Sequence, residues 1–394
     1  MTRRDDGEIS RVSQIEPFKA VFYTAPADAP HVNAAPPYDI ISPKEHAALL
    51  ARSPHNVVRY TLGESPEKEP DFSRVAAELE RLIAAGVLGV EATPRYYLYA
   101  ADFSYEGRAY SFIGLVGKVD LAGARVRSHE KTISKVKEGR LKQLSGTRGN
   151  VELVFLVCDD PGGEFLALMQ AHQGACRVRV PVKEGEAHAI HELEATGSAQ
   201  AAALLDAKSF VIADGHHRFQ TAMRFWNENP GVEGARYCLA VAGSLAPASG
   251  LRITPYHRAL TFAGREQARA WALAVAKALP KAAGAPDVTL HFPGAEDGLA
   301  LAFPTSGESL VAHMHKAFID KLGNAAALEY TRDLTEAVAK LRGGAPLVAV
   351  RLRAVTSAEL FATVAAGEVF PPKSTYFYPK LWSGMVMRLF EFDR

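Results

Sequence analysis

Residues 209–225, SFVIADGHHRFQTAMRF, constrain the fold of this chain more than any other stretch. Ser209 to Asp214 is a short apolar run of strand length. Gly215 follows it and can turn the backbone without a Cβ penalty. The period then changes: Phe219, Ala222, Met223 and Trp226 recur at i, i+3, i+4 and i+7, one face of a helix over 217–228. His216, His217 and Arg218 therefore stand at a helix start. There, unpaired N–H groups and the positive end of the helix dipole attract anions. Arg218 adds a forked donor set suited to phosphate. Together these features point to binding of a phosphate-bearing ligand.

The rest of the chain sets that stretch in a mixed α/β (α+β) context. Residues 15–43 are Pro-rich and read as extended structure broken by turns. Ser42, Pro43 and Glu45 suit an N-cap, first helical position and capping box. Phe72, Val75, Leu79, Leu82 and Ile83 share a face of a helix over 71–85. Residues 95–103 and 108–119 are aromatic and β-branched runs joined by Glu106-Gly107, a hairpin pattern. A charged helix is expected over 129–144, its charges (Lys131, Lys135, Lys137, Glu138, Arg140, Lys142) on a solvated face. VELVFLV (151–157) and RYCLAVA (236–242) read as strands and 199–207 as a helix. After 260, the helices AGREQARAWALAVAKAL and LTEAVAKL alternate with the strands VTLHF, LALAF and LVAVRLR. The fold class is mixed sheets with helices rather than an ordered βαβ series. Breaks near 125 and 260 divide the chain into 1–125, 126–260 and 261–394.

Composition narrows the function classes. Lys plus Arg total 45 and Asp plus Glu 44, a net charge of +1, which argues against a broad nucleic-acid surface. The start, MTRRDDGEIS, is charged and lacks the apolar core of a secretory signal, and there is no run of about 18 apolar residues to cross a membrane. Cys158, Cys176 and Cys238 are far apart and fit neither a disulfide framework nor a zinc site. The expected setting is cytoplasmic. Lys373-Ser374-Thr375 follows Phe370-Pro371-Pro372, not a Gly-rich loop, so it is no Walker A site.

Asp214-Gly215-His216-His217-Arg218, with Ala222 four residues on, resembles the GxHRxxA-type phosphate motif of the ParB/sulfiredoxin superfamily. It is also similar to the Asp-Gly-x-His-Arg motif of free-serine kinases built on that fold. Sulfiredoxin has its reactive Cys where this chain has His216, so sulfiredoxin chemistry is not implied. ParB proteins carry the motif early in a short domain, whereas here it lies past residue 200. Over most of its length the chain resembles the bacterial DUF1015 family. The matching segments are IEPFKA (15–20), APPYDIIS (35–42), SPHNVVRYTLGE (53–64), SHEKT (128–132), ADGHHRFQTA (213–222), ITPYHRAL (253–260) and PPKSTYFYPKLWSG (371–384).

The resemblance implies a ParB/sulfiredoxin-like nucleotide-binding core and a small-molecule kinase using ATP or ADP with Mg²⁺, free L-serine being one acceptor. The alternatives are a ParB-type nucleotide-binding or hydrolysing regulator and a phosphatase. The implied partners are a nucleotide and a small-molecule substrate, with neither membrane nor nucleic acid, and self-association is open. On this reading Asp214, Gly215, His216, His217, Arg218 and Lys373 hold the nucleotide, and Asp214 also serves the metal. Glu130, His217 and Asp39 are the catalytic candidates: Glu130 or Asp39 to orient a hydroxyl, His217 as phosphate donor or general acid/base. Each has a simpler reading too. Asp214 can cap the helix, Glu130 can start one, and Asp39 can merely end the Ala35-Pro36-Pro37-Tyr38 turn. Adjacent helical residues point about 100° apart, so His216 and His217 do not suit one shared metal. His55, Asn56 and Arg59 are weaker candidates that a loop explains, and Tyr376, Tyr378 and Lys380 could line a pocket. Because the matching segments span all three divisions, one shared site is expected.

Overall fold

The computed structural model describes residues 13–24, 30–130, 137–304 and 308–393. They form two units: Met1–Val126, Ser134–Gly250 and Pro379–Arg394 make the first, Arg127–Ile133 and Leu251–Tyr378 the second. The fold is mixed α/β, as the alternating periods imply. The chain leaves the first unit after Val126. Residues 134–250, by contrast, share a unit with 1–126.

The first unit is built on a nine-stranded sheet. Its order runs Val126–Arg127, Phe210–Asp214, Val154–Cys158, Tyr237–Ser244, Arg108–Asp120, Tyr97–Tyr105, Glu186–Leu193, Gln173–Lys183, with Ile15–Glu16 also paired to Arg108–Asp120. Val154–Cys158 and Tyr237–Ser244 run parallel. The pairs outward from them, to Phe210–Asp214 on one side and Gln173–Lys183 on the other, are antiparallel. Alternation decides the two faces. Leu98, Leu115, Leu156 and Ile212 point into a core shared with the helices Glu164–Ala171, Ala195–Ala207 and His216–Glu228, which contribute Phe165, Met169, Leu205 and Phe225. Tyr97, Tyr99, Ala101 and Phe103 point the other way and are buried, with Phe18 and Phe22 edge-on to Tyr97.

A second core of the same unit gathers Leu49, Val57, Phe72, Leu79 and Leu82 around Met387 and Leu389 from the returning C-terminal segment. Beside it lies the helix Lys137–Thr147. Gly146 permits this close approach, since an added Cβ would stand 2.1 Å from the Phe72 carbonyl oxygen. Arg388 is fully buried and donates to Asp393, Asn150 and the carbonyls of Gly234 and Tyr237.

The second unit carries a five-stranded antiparallel sheet in the order Ala295–Leu301, Val288–Phe292, Leu347–Leu352, His257–Phe262, Ala326–Thr331. Val275 of the helix Arg265–Ala278 and Leu341 of Thr335–Arg342 are buried, as are the sheet residues Leu260, Leu290, Val348 and Val350.

Most expected elements are present. Glu106 and Gly107 take positive φ of 49° and 75° in the hairpin turn, as a two-residue loop between twisted strands requires. Ser42 accepts from the Glu45 N–H and caps Pro43–Arg52. Of the charged helix the described residues show Lys137–Thr147, and Glu130 bridges Phe370 in the second unit. Lys131 and Lys135 lie outside the described residues. Arg140 is a correction: it is buried, not on a solvated face. The hairpin Gln173–Lys183 with Glu186–Leu193 was not expected, although Val178 and Val180 alternate with Arg177 and Arg179. No helix among the described residues is long and apolar enough to cross a membrane.

Candidate functional site in the first unit

The strand Phe210–Asp214 ends with a register shift between Ile212 and Asp214, an irregularity that re-aims a strand's last side chains. Gly215 then takes φ +86° and caps the helix His216–Glu228 from a left-handed conformation, with no side chain bonded to the cap. Arg218, one turn into the helix, folds back over the glycine. A Cβ on residue 215 would lie 3.0 Å from Arg218 Nε and 3.1 Å from its Cζ. Glycine is thus required twice, by the backbone and by the guanidinium. We expect Gly215→Ala to lower the unfolding free energy by about 1–2 kcal/mol, read by urea denaturation.

Arg218 Nη2 donates to Asp214 Oδ2 at 2.9 Å, and Nη1 donates to the Leu153 carbonyl. Lys380 Nζ donates to Asp214 Oδ1 at 3.1 Å. Asp214 is thereby held between two cations. Burial alone would raise its pKa, but the Lys380 and Arg218 charges outweigh that and hold it at about 2. Such a group stabilises the fold above its ordinary value of 3.8, and the contribution is lost as pH falls through about 2. We expect Asp214→Asn to remove about 2 kcal/mol of stability at neutral pH. Its stability curve should also be flatter than the parent's between pH 4 and pH 2 by circular dichroism.

Behind Arg218 lies a cavity of about 30 Å³ whose lining includes Arg140, Gln143, Asn150, Glu152 and Thr221. Arg140 Nη1 reaches Glu152 Oε2 at 3.4 Å, Nη2 donates to the Thr61 carbonyl at 2.8 Å, and the guanidinium stacks 3.8 Å from the Tyr38 ring centre. Among the described residues, Glu152 Oε1, Arg218 Nε and Thr221 Oγ1 are buried without hydrogen-bond partners. A polar cavity of this size suits ordered water, which would satisfy them. Burial raises the Glu152 pKa, and the Arg218 and Arg140 charges offset part of the rise. Burial likewise raises the Tyr38 pKa. Asp39 is exposed on the short 3-10 turn Tyr38–Ile40, close enough to act electrostatically on Arg218 and Glu152. Asn56 holds this region in place: its amide donates to the carbonyls of Val32 and Ala34, and its oxygen accepts from the Val58 N–H. Arg59 pairs with Glu64 and the Leu50 carbonyl.

The first unit thus brings Asp39, Asp214, Gly215, His216, His217 and Arg218 to one neighbourhood. Lys380 joins them, together with Arg140 and Glu152, which the sequence reading did not assign to the site. Glu152 is the one acid in an apolar strand run, and Arg140, Gln143, Leu144 and Thr147 share a helical face. Those were the available signals. Both oxygens of Asp214 are engaged by cations, so it does not fit a metal ligand in this arrangement. Among the described residues no group of three His, Cys, Asp or Glu could hold a metal ion.

Glu130 and Lys373 belong to the second unit. Glu130 Oε1 accepts from the Lys373 N–H at 3.0 Å. Burial raises its pKa, opposed by the Lys373 and Ser374 amides and the Lys373 and Arg258 charges. Lys373 itself has φ +56°, and its ammonium stands 5.5 Å from the Tyr256 ring centre. His129 is buried, bonded to Thr375 Oγ1 at 2.7 Å. Lys131 and Thr132 of SHEKT lie outside the described residues.

Among solved structures, the chain is similar to SbnI with C-terminal truncation from Staphylococcus aureus: 11% identity, TM-score 0.40, covering 68% of this chain and 85% of that one. It is similar to a mutant free serine kinase in complex with AMP, at 14% identity and TM-score 0.36, covering 67% and 86%. A conserved hypothetical protein from Pyrococcus furiosus matches at 14% identity and TM-score 0.34, covering 71% and 96%. No curated protein matches. Residues 15–316, well over half of the chain, match the family model described as protein of unknown function (DUF1015). The chain belongs to the DUF1015 family.

Proposed function

We propose that the first unit carries a ParB/sulfiredoxin-like nucleotide site and that the protein is a nucleotide-dependent small-molecule kinase, with free L-serine as a candidate acceptor. The observation that carries this reading is the uncapped helix start behind Gly215, backed by Arg218 and Lys380 on the Asp214 carboxylate. Phosphoryl transfer depends on positioning and neutralisation of charge more than on covalent chemistry, and this arrangement offers both. On this reading phosphate oxygens sit at the amides of residues 216 and 217, and Lys380 supplies positive charge beside them from its pairing with Asp214. Arg218, both of whose Nη atoms are engaged, positions Asp214 and the helix start. His217 exchanges a proton with the phosphate or the acceptor, and Asp39 orients the acceptor hydroxyl. The nucleotide would be ATP or ADP. Mg²⁺ would come bound to its phosphates, since Asp214 is taken up by its cations, and no step is routed through the ion. Nothing in this reading is asked of Glu130 or Lys373.

The test is a thermal-shift screen of the full chain with AMP, ADP, ATP, Mg²⁺ and amino acids, followed by product analysis by mass spectrometry. The kinase reading expects a nucleotide-dependent shift and a phosphorylated acceptor. Release of inorganic phosphate from a monoester without nucleotide would replace it with a phosphatase. A nucleotide shift that changes self-association without any acceptor would replace it with a regulator.

A further inference from the structure

We propose a second small-molecule site in the first unit, on the sheet face built by Gln173–Lys183, Glu186–Leu193, Tyr97–Tyr105 and the start of Arg108–Asp120, taking a zwitterion of the α-amino acid class. It stands independently of the Asp214 site. A cavity of about 340 Å³ lies here, within the range of small-molecule pockets, walled by Asp102, Ser111, Gln170, Gln173, Arg179 and His191.

Strand register explains its shape. Arg179 is opposite Ala189, Ala189 opposite Ala100, and Ala100 opposite Ile113. One step along, Ala187 is opposite Asp102, and Asp102 opposite Ser111. Directly opposed residues share a face, as do residues two apart on one strand. Ala100, Ala187 and Ala189 therefore form a low floor between longer side chains. The same face carries Leu98 and Leu115 under the covering helices further along, and the cavity begins where that cover stops, at Gln170.

The charges fix the ligand class. Asp102 and Arg179 face the same cavity with opposite sign but are not paired. Asp102 Oδ1 accepts from Ser111 Oγ at 2.7 Å, which orients the carboxylate and leaves Oδ2 open. Among the described residues the Arg179 guanidinium forms no hydrogen bond or ion pair. Two residues earlier, Arg177 is taken up by Glu91 and Glu192, so acids were within reach of this strand and Arg179 has none. Two strand spacings and two residues of offset separate the Cα atoms of Asp102 and Arg179 by on the order of 12 Å. That gap is closed by a small molecule bearing both charges: its carboxylate on the Arg179 fork, its ammonium on Asp102. The floor of alanines limits its depth. The amides of Gln170 and Gln173 and the His191 imidazole, whose Nδ1 meets the Gly174 carbonyl at 3.2 Å, face its side chain and favour a polar one.

The experiment is isothermal titration of the full chain with the free L-amino acids, and with the N-acetyl and methyl-ester forms of any that bind. The expected result is saturable binding of a polar amino acid that weakens at least tenfold when either charge is capped. Arg179→Gln, Asp102→Asn and the floor-filling Ala189→Leu should each weaken it to the same degree. Arg179 and Asp102 are exposed, so their variants should melt with the parent and a loss of heat reports the site. Absence of binding by every amino acid overturns the proposal. Binding indifferent to the caps, or intact in both Arg179→Gln and Asp102→Asn, overturns it equally by placing the ligand elsewhere.

Discussion

Replacing Arg218 with alanine is expected to reduce turnover of the true substrate by about 30- to 10³-fold, the 2–4 kcal/mol characteristic of a lost preorganised charge. It should also destabilise the protein by about 3–5 kcal/mol, since breaking a buried pair leaves its partner uncompensated. Three groups each lose one partner at once. Asp214 keeps Lys380 alone, the Leu153 carbonyl loses its donor, and Glu152 loses the larger of the two charges that restrain its pKa. Arg218→Lys separates the two effects, because an ammonium keeps the charge but cannot bond Asp214 and Leu153 together. It should recover part of the stability and little of the turnover. The measurements are urea denaturation and initial rates, and an unchanged rate in Arg218→Ala would remove this residue from the site.

The second large effect is expected far from that site. Asp393 accepts from Arg388, from Lys118 Nζ at 3.1 Å and from the Lys19 N–H at 2.9 Å. Arg388 is fully buried, and burial pulls its pKa down against the opposing pull of Asp393. Asp393→Ala strands that guanidinium without a counter-charge, which should lower the unfolding free energy by about 3–5 kcal/mol. A double variant, Arg388→Met with Asp393→Leu, removes both charges and should be more stable than Asp393→Ala alone, because no charge is then left buried. Denaturant midpoints of the three proteins decide it. A midpoint for Asp393→Ala equal to the parent's would mean that Arg388 is balanced by its carbonyl and Asn150 contacts alone.

The parts of the fold that were legible in the sequence are those set by neighbours in the chain. Gly215 between an apolar strand and a 3.6-period helix locates the turn, and Glu106-Gly107 locates the hairpin, because both depend on local φ. The elements around Arg218 are not of that kind. Lys380 is 162 residues from it in sequence (380 − 218), and nothing local marks its ammonium for Asp214. Arg140 sits in a charged run and reads as solvated until Glu152 and the Tyr38 ring are brought beside it. That Arg218 bonds the Leu153 carbonyl and Asp214 at once is likewise a tertiary fact that no local pattern carries. Glu130, which heads the charged run in the sequence, forms a bridge with Phe370, a pairing so distant along the chain that no local pattern marks it.

The return of Pro379–Arg394 to the first unit has a consequence for biosynthesis. A ribosome making this chain releases the sheet, the Gly215 turn and the buried partners of Arg388 long before it releases Arg388, Asp393 and Lys380. Through the whole of residues 251–378 the first unit lacks Lys380, one of the two cations on Asp214, and the side chains of Met387 and Leu389 that fill its second core. Closing contacts such as Lys19 to Asp393 span nearly the full length of the chain, and contacts of such separation form slowly. The nascent first unit must therefore wait, with part of its apolar surface uncovered, for the second to emerge. It is in that interval that the chain is most exposed to chaperones and to aggregation.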